Sequence, residues 1–507
     1  MRRIEPSRRE RLFNAAATRA IESALAARRP PHALMARAGE GTARLALALY
    51  PHARRIWVAC GPGNNGGDGL VAAMQLQRSA PPGWREVVVT LDGDPGRLPA
   101  DAAWALSQAA AASVHIATEP PQDPALMIDA LLGLGGRADA GGPLARRVAA
   151  IHGGTAPVLS VDLPSGLNPD TGAWPWPIAP GPGPRHCLSL LTLKPGLVTA
   201  QGRDMAGDLW LDDLGADDLP DAGPSPTALA GGFPLEGDAK HRAAHAGHKG
   251  RYGDVAVVGG QLPSAAHPGM VGAAVLAARG ALQGGAGRVY LGWVGDGAAP
   301  SLDPVCPEIM VRTPAALLDA AAHQPMVVVA GCGGGESVRE HLPTCLQRAS
   351  HLVLDADGLN AVAQDPALQS LLRRRASRGL PGVLTPHPLE AARLLGTDTA
   401  SVMADRVGSA MQLAETFQCV VVLKGSGSVV CGPGQTPWIN LTGNARLATA
   451  GTGDVLAGLI GAALARDDRD AFTAACAAVA HHGALADAWP GDRALTAAAL
   501  AAAARAF

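Results

Sequence analysis

This sequence lacks an apolar stretch of the roughly 20 residues that a helix needs to cross a bilayer. Its apolar content of 48% comes mainly from Ala, Leu and Val, and charges or turn formers interrupt every such window. Residues 1–11 contain arginines but no apolar block or small-residue cleavage site after them, so no secretory signal is expected. We therefore expect no membrane contact and a cytoplasmic location.

The chain also lacks an excess of charge and a metal-like cysteine pattern. Its formal net charge of -2 provides no broad basic surface, so a nucleic-acid partner is not expected. The cysteines form no C-x-x-C pair and show no zinc-like spacing. We expect reduced, mostly buried thiols at all eight positions, namely Cys60, Cys187, Cys306, Cys332, Cys345, Cys419, Cys431 and Cys476.

Two α/β domains are predicted from the length and the strand pattern. A chain of 507 residues exceeds the size at which a single core stops growing. In the first half, short apolar runs alternate with Ala-rich helical stretches, which predicts a parallel sheet covered by helices on both faces. These runs are 55–60, 86–91, 125–132 and 156–162. The second half repeats the alternation, with runs at 254–258, 288–291, 326–330, 351–355, 382–385 and 419–424.

Residues 223–240 are rich in Pro, Gly and Ser without periodicity, which predicts a linker between domains at 1–222 and 241–507. The two halves do not share their glycine motifs, so we interpret the chain as a fusion of different modules. Three histidines beside the linker have helical spacing, and a zinc site is one interpretation of them. A solvated linker end is favoured for these three, His241, His245 and His248, and a C-terminal packing helix for His481 and His482.

The segment GPGNNGGDG at 61–69 is the most informative motif of the first half. Its glycines allow backbone N–H groups to converge on an anion at a helix start, and a phosphate is the expected guest. A tight structural turn is the alternative interpretation. The adjacent polar side chains of Asn64, Asn65 and Asp68 favour a ligand site, because a structural turn does not need them.

Two further loops, 129–135 and 161–172, follow predicted strands, where open α/β sheets bind ligands. We expect Asp129, Asp162 and Ser165 to meet Asn65 in one crevice, where their oxygens suit a cation. The alternative is that the two aspartates only cap the turns that follow the strands.

Together, the segments GPGNNGGDG, DALLGLG and VDLPSGLNPDTG resemble the NAD(P)H-hydrate epimerase family over most of residues 10–220. The resemblance implies a Rossmann-like, three-layer domain with a parallel sheet, potassium bound by Asn65, Asp129 and Ser165, and a substrate-contacting, catalytic Asp162. It places the hydrated dinucleotide against two loops and Asp162, with the loop residues Asn64, Asn65, Gly66, Gly67, Asp68, Gly133, Leu134, Gly135, Gly136, Arg137, Ala138 and Asp139. The loop 136–142 is richer in Gly and Ala than the family pattern.

The strongest motif of the chain is NARLATAGTGDVLAG at 444–458. Gly451 to Asp454 would begin a helix, so that free N–H groups and the positive dipole end face a phosphoryl group beside the Asp454 carboxylate. A glycine-rich helix start with a capping aspartate is the structural alternative.

Four other strand-end loops accompany this motif: 330–335, 355–360, 385–390 and 423–430. The last contains Lys424 in a Lys-Gly loop suited to nucleotide phosphates, and 385–390 holds His387 between two prolines. Taken singly, His387 is explained equally well by a core or capping role as by a ligand contact. Lys424 taken singly is better explained as a solvated loop charge. Their joint order favours a site.

The second half resembles the ADP- or ATP-dependent NAD(P)H-hydrate dehydratase family, a branch of the ribokinase-like kinases, from HKGRYG at 248–253 to the end and including 272–291. The resemblance implies that Ala273, Gly335, His387 and Asp454 contact the hydrated dinucleotide. It places the nucleotide, with Mg²⁺, at Lys424, Gly425, Ser426, Gly427, Ser428 and Gly453. Ser428 stands where the family commonly has Thr, which keeps the hydroxyl.

The combined prediction is a bifunctional repair enzyme that epimerises the R and S hydrates NADHX and NADPHX and dehydrates the S form with ADP. Asp162 supplies acid/base help in the first reaction, and Asp454 deprotonates the 6-hydroxyl in the second. The alternatives are a ribokinase-type small-alcohol kinase with an N-terminal binding module, and a non-enzymatic scaffold. The dehydratase resemblance also implies a homo-oligomer, and the fused arrangement favours ADP over ATP.

Overall fold

The computed structural model describes residues 1–135, 143–216, 224–233, 249–265, 268–466 and 470–506. The chain divides into two compact units, one of Met1–Glu5 and Glu10–Ala228, the other of Pro6–Arg9 and Leu229–Phe507. The three histidines at 241, 245 and 248 and the loop 136–142 lie outside the described residues.

The N-terminal unit alternates strands and helices as its apolar runs predict. Its strands are β1 (Arg2–Arg3), β2 (Glu10–Leu12), β3 (Arg55–Cys60), β4 (Glu86–Leu91), β5 (His115–Ala117), β6 (Leu126–Ala130), β7 (Val158–Val161), β8 (Arg185–Leu190) and β9 (Asp208–Asp212). Its helices are α1 (Ala15–Ala26), α2 (Ala33–Leu49), α3 (Asn64–Arg78), α4 (Ala100–Ala111), α5 (Pro143–His152) and α6 (Gly202–Ala206).

One sheet of this unit has the strand order β1-β9-β8-β7-β6-β3-β4-β5, and every pair is parallel except β1 with β9. Strands β6 and β7 are buried along their whole length, as expected for parallel strands covered on both faces. Helix α3 packs against β3, β4 and β6, with α2 and α4 beside it. The predicted α/β class is confirmed.

Helix α3 begins at Asn64, five residues before the predicted start at Gly69. The polar residues of the glycine motif therefore form its first turns and not a preceding loop. Glycine disfavours helix interiors, but Gly66 is packed too closely for a side chain, because a Cβ there would lie 1.9 Å from the Gly61 carbonyl oxygen. Packing overrides propensity at this position.

The C-terminal unit is also α/β. Its strands are β10 (Ala228–Ala230), β11 (Asp254–Gln261), β12 (Arg288–Val294), β13 (Met310–Val311), β14 (Val327–Ala330), β15 (His351–Leu354), β16 (Gly382–Leu384), β17 (Val420–Leu423), β18 (Val429–Cys431) and β19 (Trp438–Ile439). Its helices are α7 (Val271–Gln283), α8 (Pro314–Ala320), α9 (Leu342–Arg348), α10 (Asp357–Gln364), α11 (Pro366–Ser377), α12 (Pro388–Leu395), α13 (Thr399–Ala404), α14 (Arg406–Phe417), α15 (Thr452–Leu464), α16 (Ala471–Asp487) and α17 (Ala497–Ala503).

The sheet of this unit runs β13-β12-β11-β14-β15-β16-β17-β18-β19-β10. It is parallel from β13 to β17 and antiparallel at the β17-β18 and β18-β19 pairs. Strand β10 pairs in parallel with β19. Within the stretch predicted as a linker, residues 228–230 therefore form a strand.

Helices α7 and α15 pack closely because small residues face each other. A Cβ on Gly458 would lie 1.9 Å from the Ala277 carbonyl oxygen, and one on Gly280 would lie 2.6 Å from the Val455 carbonyl oxygen. Neither position has room for a side chain. The close contact fixes α15, whose first turn contains the GTGD motif.

The cysteine prediction is confirmed, since all eight thiols are free and only Cys306 is partly exposed. His481 and His482 lie buried in α16, as predicted. Among the described helices, none combines the length and the hydropathy that crossing a bilayer requires.

Two candidate active sites

A cavity of about 630 Å³ lies in the N-terminal unit where β3, β6 and β7 end. Most of the predicted dinucleotide contacts line it, namely Asn64, Asn65, Asp68, Gly133, Leu134, Gly135 and Asp162. Gly66 and Gly67 are buried in α3. Gly136, Arg137, Ala138 and Asp139 lie outside the described residues.

The glycines of the first motif have separate roles. A Cβ on Gly61 would lie 1.8 Å from the Leu131 carbonyl oxygen, and one on Gly66 would lie 1.9 Å from the Gly61 carbonyl oxygen. Gly61 therefore lets the loops after β3 and β6 touch, and Gly66 lets the first turn of α3 lie against the loop after β3. Gly63, the residue before α3, has no atom within 4 Å of its Cβ position and lines the cavity. The first N–H groups of a helix lack partners within it, so this end of α3 suits an anion.

Asp162 follows β7 with a left-handed backbone, φ 66°. Its Oδ1 accepts hydrogen bonds from Lys194 Nζ and from the Leu190 backbone N–H at 3.1 Å. Oδ2 has no hydrogen bond within the described part of the chain. The carboxylate is therefore held by one oxygen, and the other remains for a ligand in the cavity.

Lys194 was not predicted as a site residue. Its ammonium is fully buried, and it donates to Asp162, to Ser189 Oγ at 3.2 Å and to the Leu190 carbonyl oxygen at 2.8 Å. All three donors of the ammonium are thus used. The scarcity of lysine could have drawn attention to Lys194, since the chain has only four lysines.

Asp129 and Ser165 lie buried side by side beneath the cavity. Ser165 Oγ donates to Asp129 Oδ1 at 2.5 Å, and the Ser165 N–H and His152 Nε2 donate to Oδ2, each at 2.8 Å. Burial alone would raise the pKa of Asp129, but the hydrogen bonds from His152 and Ser165 hold that pKa below its usual value. His152, which the sequence analysis missed, accepts from Arg185 at Nδ1, which leaves Nε2 as the donor.

Asn65 lies next to this pair. Its side chain is 3.3 Å from the Cβ position of Gly133, and the neighbouring Leu132 N–H donates to Ser165 Oγ at 2.8 Å. Asn65 Nδ2 is buried without a hydrogen-bond partner among the described atoms. An unpaired buried amide is costly, and exchanging its N and O would place an acceptor there. The three predicted cation ligands are thus brought together.

Two more carboxylates line the same cavity, Glu22 on α1 and Asp101 on α4. Neither was predicted, because no motif surrounds them. Burial, and then the charge of Asp162, raise the pKa of both Glu22 and Asp68. The cavity is therefore acidic except near Lys194 and Arg19.

In the C-terminal unit, the GTGD motif forms the start of α15 as predicted. Gly451 precedes the helix with φ 88°, a conformation that favours glycine. Asp454 stands in the first turn, where burial and then the nearby charge of Asp355 raise its pKa to about 6. A carboxylate with such a pKa is a suitable base near neutral pH.

Lys424 is not a solvated loop charge. Its ammonium lies 2.6 Å from Asp355 Oδ1, 4.0 Å from Glu390 Oε2 and 3.5 Å from the Cβ position of Gly453. Burial alone would lower the pKa of Lys424, but Asp355 and Glu390 raise it. The sequence analysis placed Asp355 in a site loop without a role, and missed Glu390 as the second partner.

A buried arginine stabilises the rest of the Lys-Gly loop through hydrogen bonds to its backbone. Arg406 donates to the Leu423 and Lys424 carbonyl oxygens at 3.3 Å, and a Cβ on Gly425 would lie 2.9 Å from its guanidinium. Ser428 Oγ donates to the Gly425 carbonyl oxygen at 3.2 Å. The loop is thus a closed turn that packs on the Arg406 guanidinium, and no sequence motif had indicated this arginine.

His387 caps α12, which was one of the two interpretations of it. Its Nδ1 accepts from the Leu389 and Glu390 N–H groups, and the Glu390 side chain accepts from the His387 N–H at 2.8 Å. Because Nδ1 accepts, a neutral ring carries its proton on Nε2, which lies 3.2 Å from Glu390 Oε1. Burial raises the pKa of Glu390 to about 7.

The remaining predicted contacts lie beside the loop after β14. The Gly335 N–H donates to Asp357 Oδ2 at 2.8 Å, and Ala273 Cβ is 2.8 Å from the Cβ position of Gly333. Oxygens of Asp355 and Asp454 and the thiol of Cys332 lie within 4.8 Å of one another. The structure therefore gathers the C-terminal motifs around one pair of aspartates.

Comparison with known proteins finds a matching family for each half of the chain. Residues 31–196 match the family model of the YjeF-related protein N-terminus, and residues 255–506 match that of NAD(P)H-hydrate dehydratase. The bifunctional NAD(P)H-hydrate repair enzyme Nnr of Escherichia coli is 35% identical over 90% of this chain and 84% of its own length. That of Coxiella burnetii is 35% identical over 88% and 87%. The ADP-dependent (S)-NAD(P)H-hydrate dehydratase of Neisseria meningitidis is 42% identical over 47% of this chain and 78% of its own length.

Proposed function

We propose, because this chain belongs to the family of bifunctional NAD(P)H-hydrate repair enzymes, that its two units perform successive repair reactions. The N-terminal unit is the epimerase, an isomerase acting on the R and S hydrates of NAD(P)H. The C-terminal, ribokinase-like unit is the dehydratase, a lyase that converts the S hydrate to NAD(P)H with ADP. The small-alcohol kinase is not favoured.

The observation that carries the proposal is the same in both units. In each unit a glycine-rich helix start, at Gly63 or at Gly451, lies at a site that contains carboxylates. A lysine bonds to one aspartate of each site, Lys194 to Asp162 and Lys424 to Asp355. Helix N–H groups suit phosphates, and the carboxylates, Asp162 and Asp454, suit proton transfer.

In the epimerase, the lone pair of N1 expels the 6-hydroxyl as water once that group is protonated, which leaves a planar cation. Water then adds to the other face of C6 and loses a proton. Asp162 Oδ2 is the group that gives and takes these protons, and the carboxylate stabilises the cation. Lys194 orients Asp162 and is not itself the acid, because its three donors are occupied.

Potassium fits beside this site. The unpaired Asn65 amide, the Ser165 hydroxyl and the Asp129 carboxylate supply the oxygen ligands that such a cation prefers. When bound, it would add positive charge near the dinucleotide phosphates. Asn65, Asp129 and Ser165 would hold it, while the hydrogen bonds from His152 and Ser165 keep the pKa of Asp129 below its usual value.

In the dehydratase, Asp454 accepts the proton of the 6-hydroxyl as that oxygen attacks the β-phosphorus of ADP and AMP leaves. The C6–O bond then breaks to release phosphate, and loss of a C5 proton restores the reduced ring. The amides at Gly453 and in the Lys424–Ser428 loop stabilise the phosphoryl oxygens. The contacts of Ala273, Gly335 and His387 with the hydrate are part of this proposal.

Mg²⁺ fits near Asp355 and Asp454, whose oxygens are hard ligands, whereas the Cys332 thiol is not one. When bound with ADP it would neutralise charge on the transferring group. Asp355 is also fixed by Lys424 and by the Thr385 hydroxyl at 2.8 Å. A cytoplasmic location and a homo-oligomer remain predictions.

The test is incubation of the full chain with a mixed R and S pool of hydrated NADH and ADP, followed by the absorbance of reduced nicotinamide. Complete recovery is expected. Recovery of half the pool would retain the dehydratase and refute the epimerase, and a phosphorylated product without recovery would favour a kinase. Replacing K⁺ by a bulky organic cation should slow only the recovery of the R form.

A further inference from the structure

The epimerase cavity contains an unusual ring. Of the described residues that line it, His32 is the only one with an aromatic side chain. His32 directly precedes α2 and has a left-handed backbone, φ 63°, which is uncommon for a residue with a Cβ. Its side chain makes no capping bond to α2, so helix capping does not account for this conformation.

The contacts of the ring explain its orientation. One face stacks on Trp104, with centroids 4.7 Å apart and planes inclined by 3°. Nδ1 donates to Asp101 Oδ1 at 2.5 Å, which fixes the rotation of the ring. Trp104 is itself packed against the core of the unit. The imidazole plane is therefore rigid, although 31% of the side chain is exposed.

We infer that His32 and Trp104 form a stacking subsite for a planar ring of the hydrated dinucleotide, an inference that rests on the proposed epimerase function. Trp104 covers one face of the imidazole, and the exposed part of the ring adjoins the cavity. The other lining residues are aliphatic or polar, so this is the surface there that suits a heterocycle. The ring is either the adenine or the conjugated part of the hydrated nicotinamide.

The test measures epimerisation by the full chain without ADP, by chromatographic separation of the R and S hydrates. His32→Asn removes the ring while keeping a residue that tolerates the left-handed conformation. We expect its KM for hydrated NADH to rise by about tenfold, as for loss of one stacked base, with kcat unchanged. His32→Phe also loses the bond to Asp101 but keeps a ring, so its KM should stay near that of the natural chain.

A second substrate, the hydrate of reduced nicotinamide mononucleotide, distinguishes the two rings. A rise in KM for the dinucleotide alone assigns the subsite to adenine, and a rise for both substrates assigns it to the nicotinamide. An unchanged KM, equal effects of Asn and Phe, or a loss of kcat at constant KM overturns the stacking subsite.

The unchanged kcat of epimerisation is the folding control for the N-terminal unit, and ADP-dependent dehydration of the S hydrate, which the C-terminal unit performs, should be normal in each variant. Absence of epimerisation by the unaltered chain would refute the proposed function. Normal epimerisation with an unchanged KM in His32→Asn would refute only the subsite.

Discussion

At the scale of single residues, the two lysines beside the aspartates stand out. Lysine occurs four times in a chain whose Lys and Arg together number 42, yet two of the four lie in the candidate sites, Lys194 fully buried and Lys424 partly buried. A compact ammonium fits these positions, whereas the planar fork of Arg has a different geometry. Composition could have indicated them, but their partners depend on tertiary contacts between distant loops.

The first prediction separates the two aspartates. Asp162→Asn should lower kcat of epimerisation by roughly 100-fold or more, because the amide cannot exchange protons, and should leave dehydration of the S hydrate intact. Asp454→Asn should do the reverse. Both activities are measured on each variant, so each serves as the control for the other. One substitution that silenced both would contradict independent sites.

The second prediction concerns pH. Asp454 must be ionised to act as a base, and its pKa is raised to about 6. Dehydratase kcat/KM should therefore fall as pH drops through this value, by roughly tenfold per unit below it. The rate is measured from about pH 7 to pH 5, with far-UV circular dichroism to verify folding. The prediction fails if kcat/KM is constant over that range.

At the scale of elements, the continuously apolar strands were predictable and a buried strand with polar residues was not. The run at 55–60 matches β3 and the run at 86–91 matches β4, because parallel strands buried on both faces are continuously apolar. Strand β8 contains Arg, His, Cys and Ser and was missed, although it is wholly buried. Arg185 and Ser189 of this strand are paired by hydrogen bonds in the folded unit, which the sequence does not reveal.

The third prediction tests the contact of α7 with α15. Gly458→Ala would place a Cβ 1.9 Å from the Ala277 carbonyl oxygen, so the helices must separate, and we expect a loss of about 1–3 kcal/mol in the free energy of unfolding. Gly272→Ala is the matched control, because its Cβ position on α7 has no atom within 4 Å. Urea unfolding compares them. Equal stability of the two variants would contradict the steric argument.

The fourth prediction concerns the start of α12. Glu390→Ala removes the acceptor for the His387 N–H and the carboxylate that lies beside His387 Nε2, so it should destabilise the helix by about 1 kcal/mol and raise KM for the S hydrate. Glu390→Gln keeps an acceptor oxygen and should have a smaller effect on both. Thermal unfolding and dehydratase kinetics provide the two measurements. An unchanged KM in the Ala variant would show that His387 does not need this support.

At the scale of the whole molecule, the fusion of two α/β modules was predictable because the glycine motifs of the halves differ. The boundary between the two domains was less predictable, since residues 228–230 form β10 within the predicted linker. The aspartates and glycine loops of each site could be located from motifs. Four other residues could not be located, because they lie on helices without a motif: Glu22, Asp101, His152 and Arg406.

The fifth prediction follows from the separate sites. Asp162→Asn alone should recover half of a mixed hydrate pool, and Asp454→Asn alone none. An equimolar mixture of the two variants should recover the whole pool, because the hydrate released by one chain can reach the other through solution. The absorbance of reduced nicotinamide reports recovery. Recovery of only half by the mixture would mean that the substrate must pass between units of one chain.

The glycine at 458 has a consequence for binding. Because no side chain separates α15 from the Ala277 carbonyl oxygen, the two helices are in direct backbone contact and α15 is held in place. The backbone N–H groups of the first turn of α15 therefore have their orientation before a nucleotide binds. The conformational entropy of ordering them is lost when the polypeptide folds and not at each turnover.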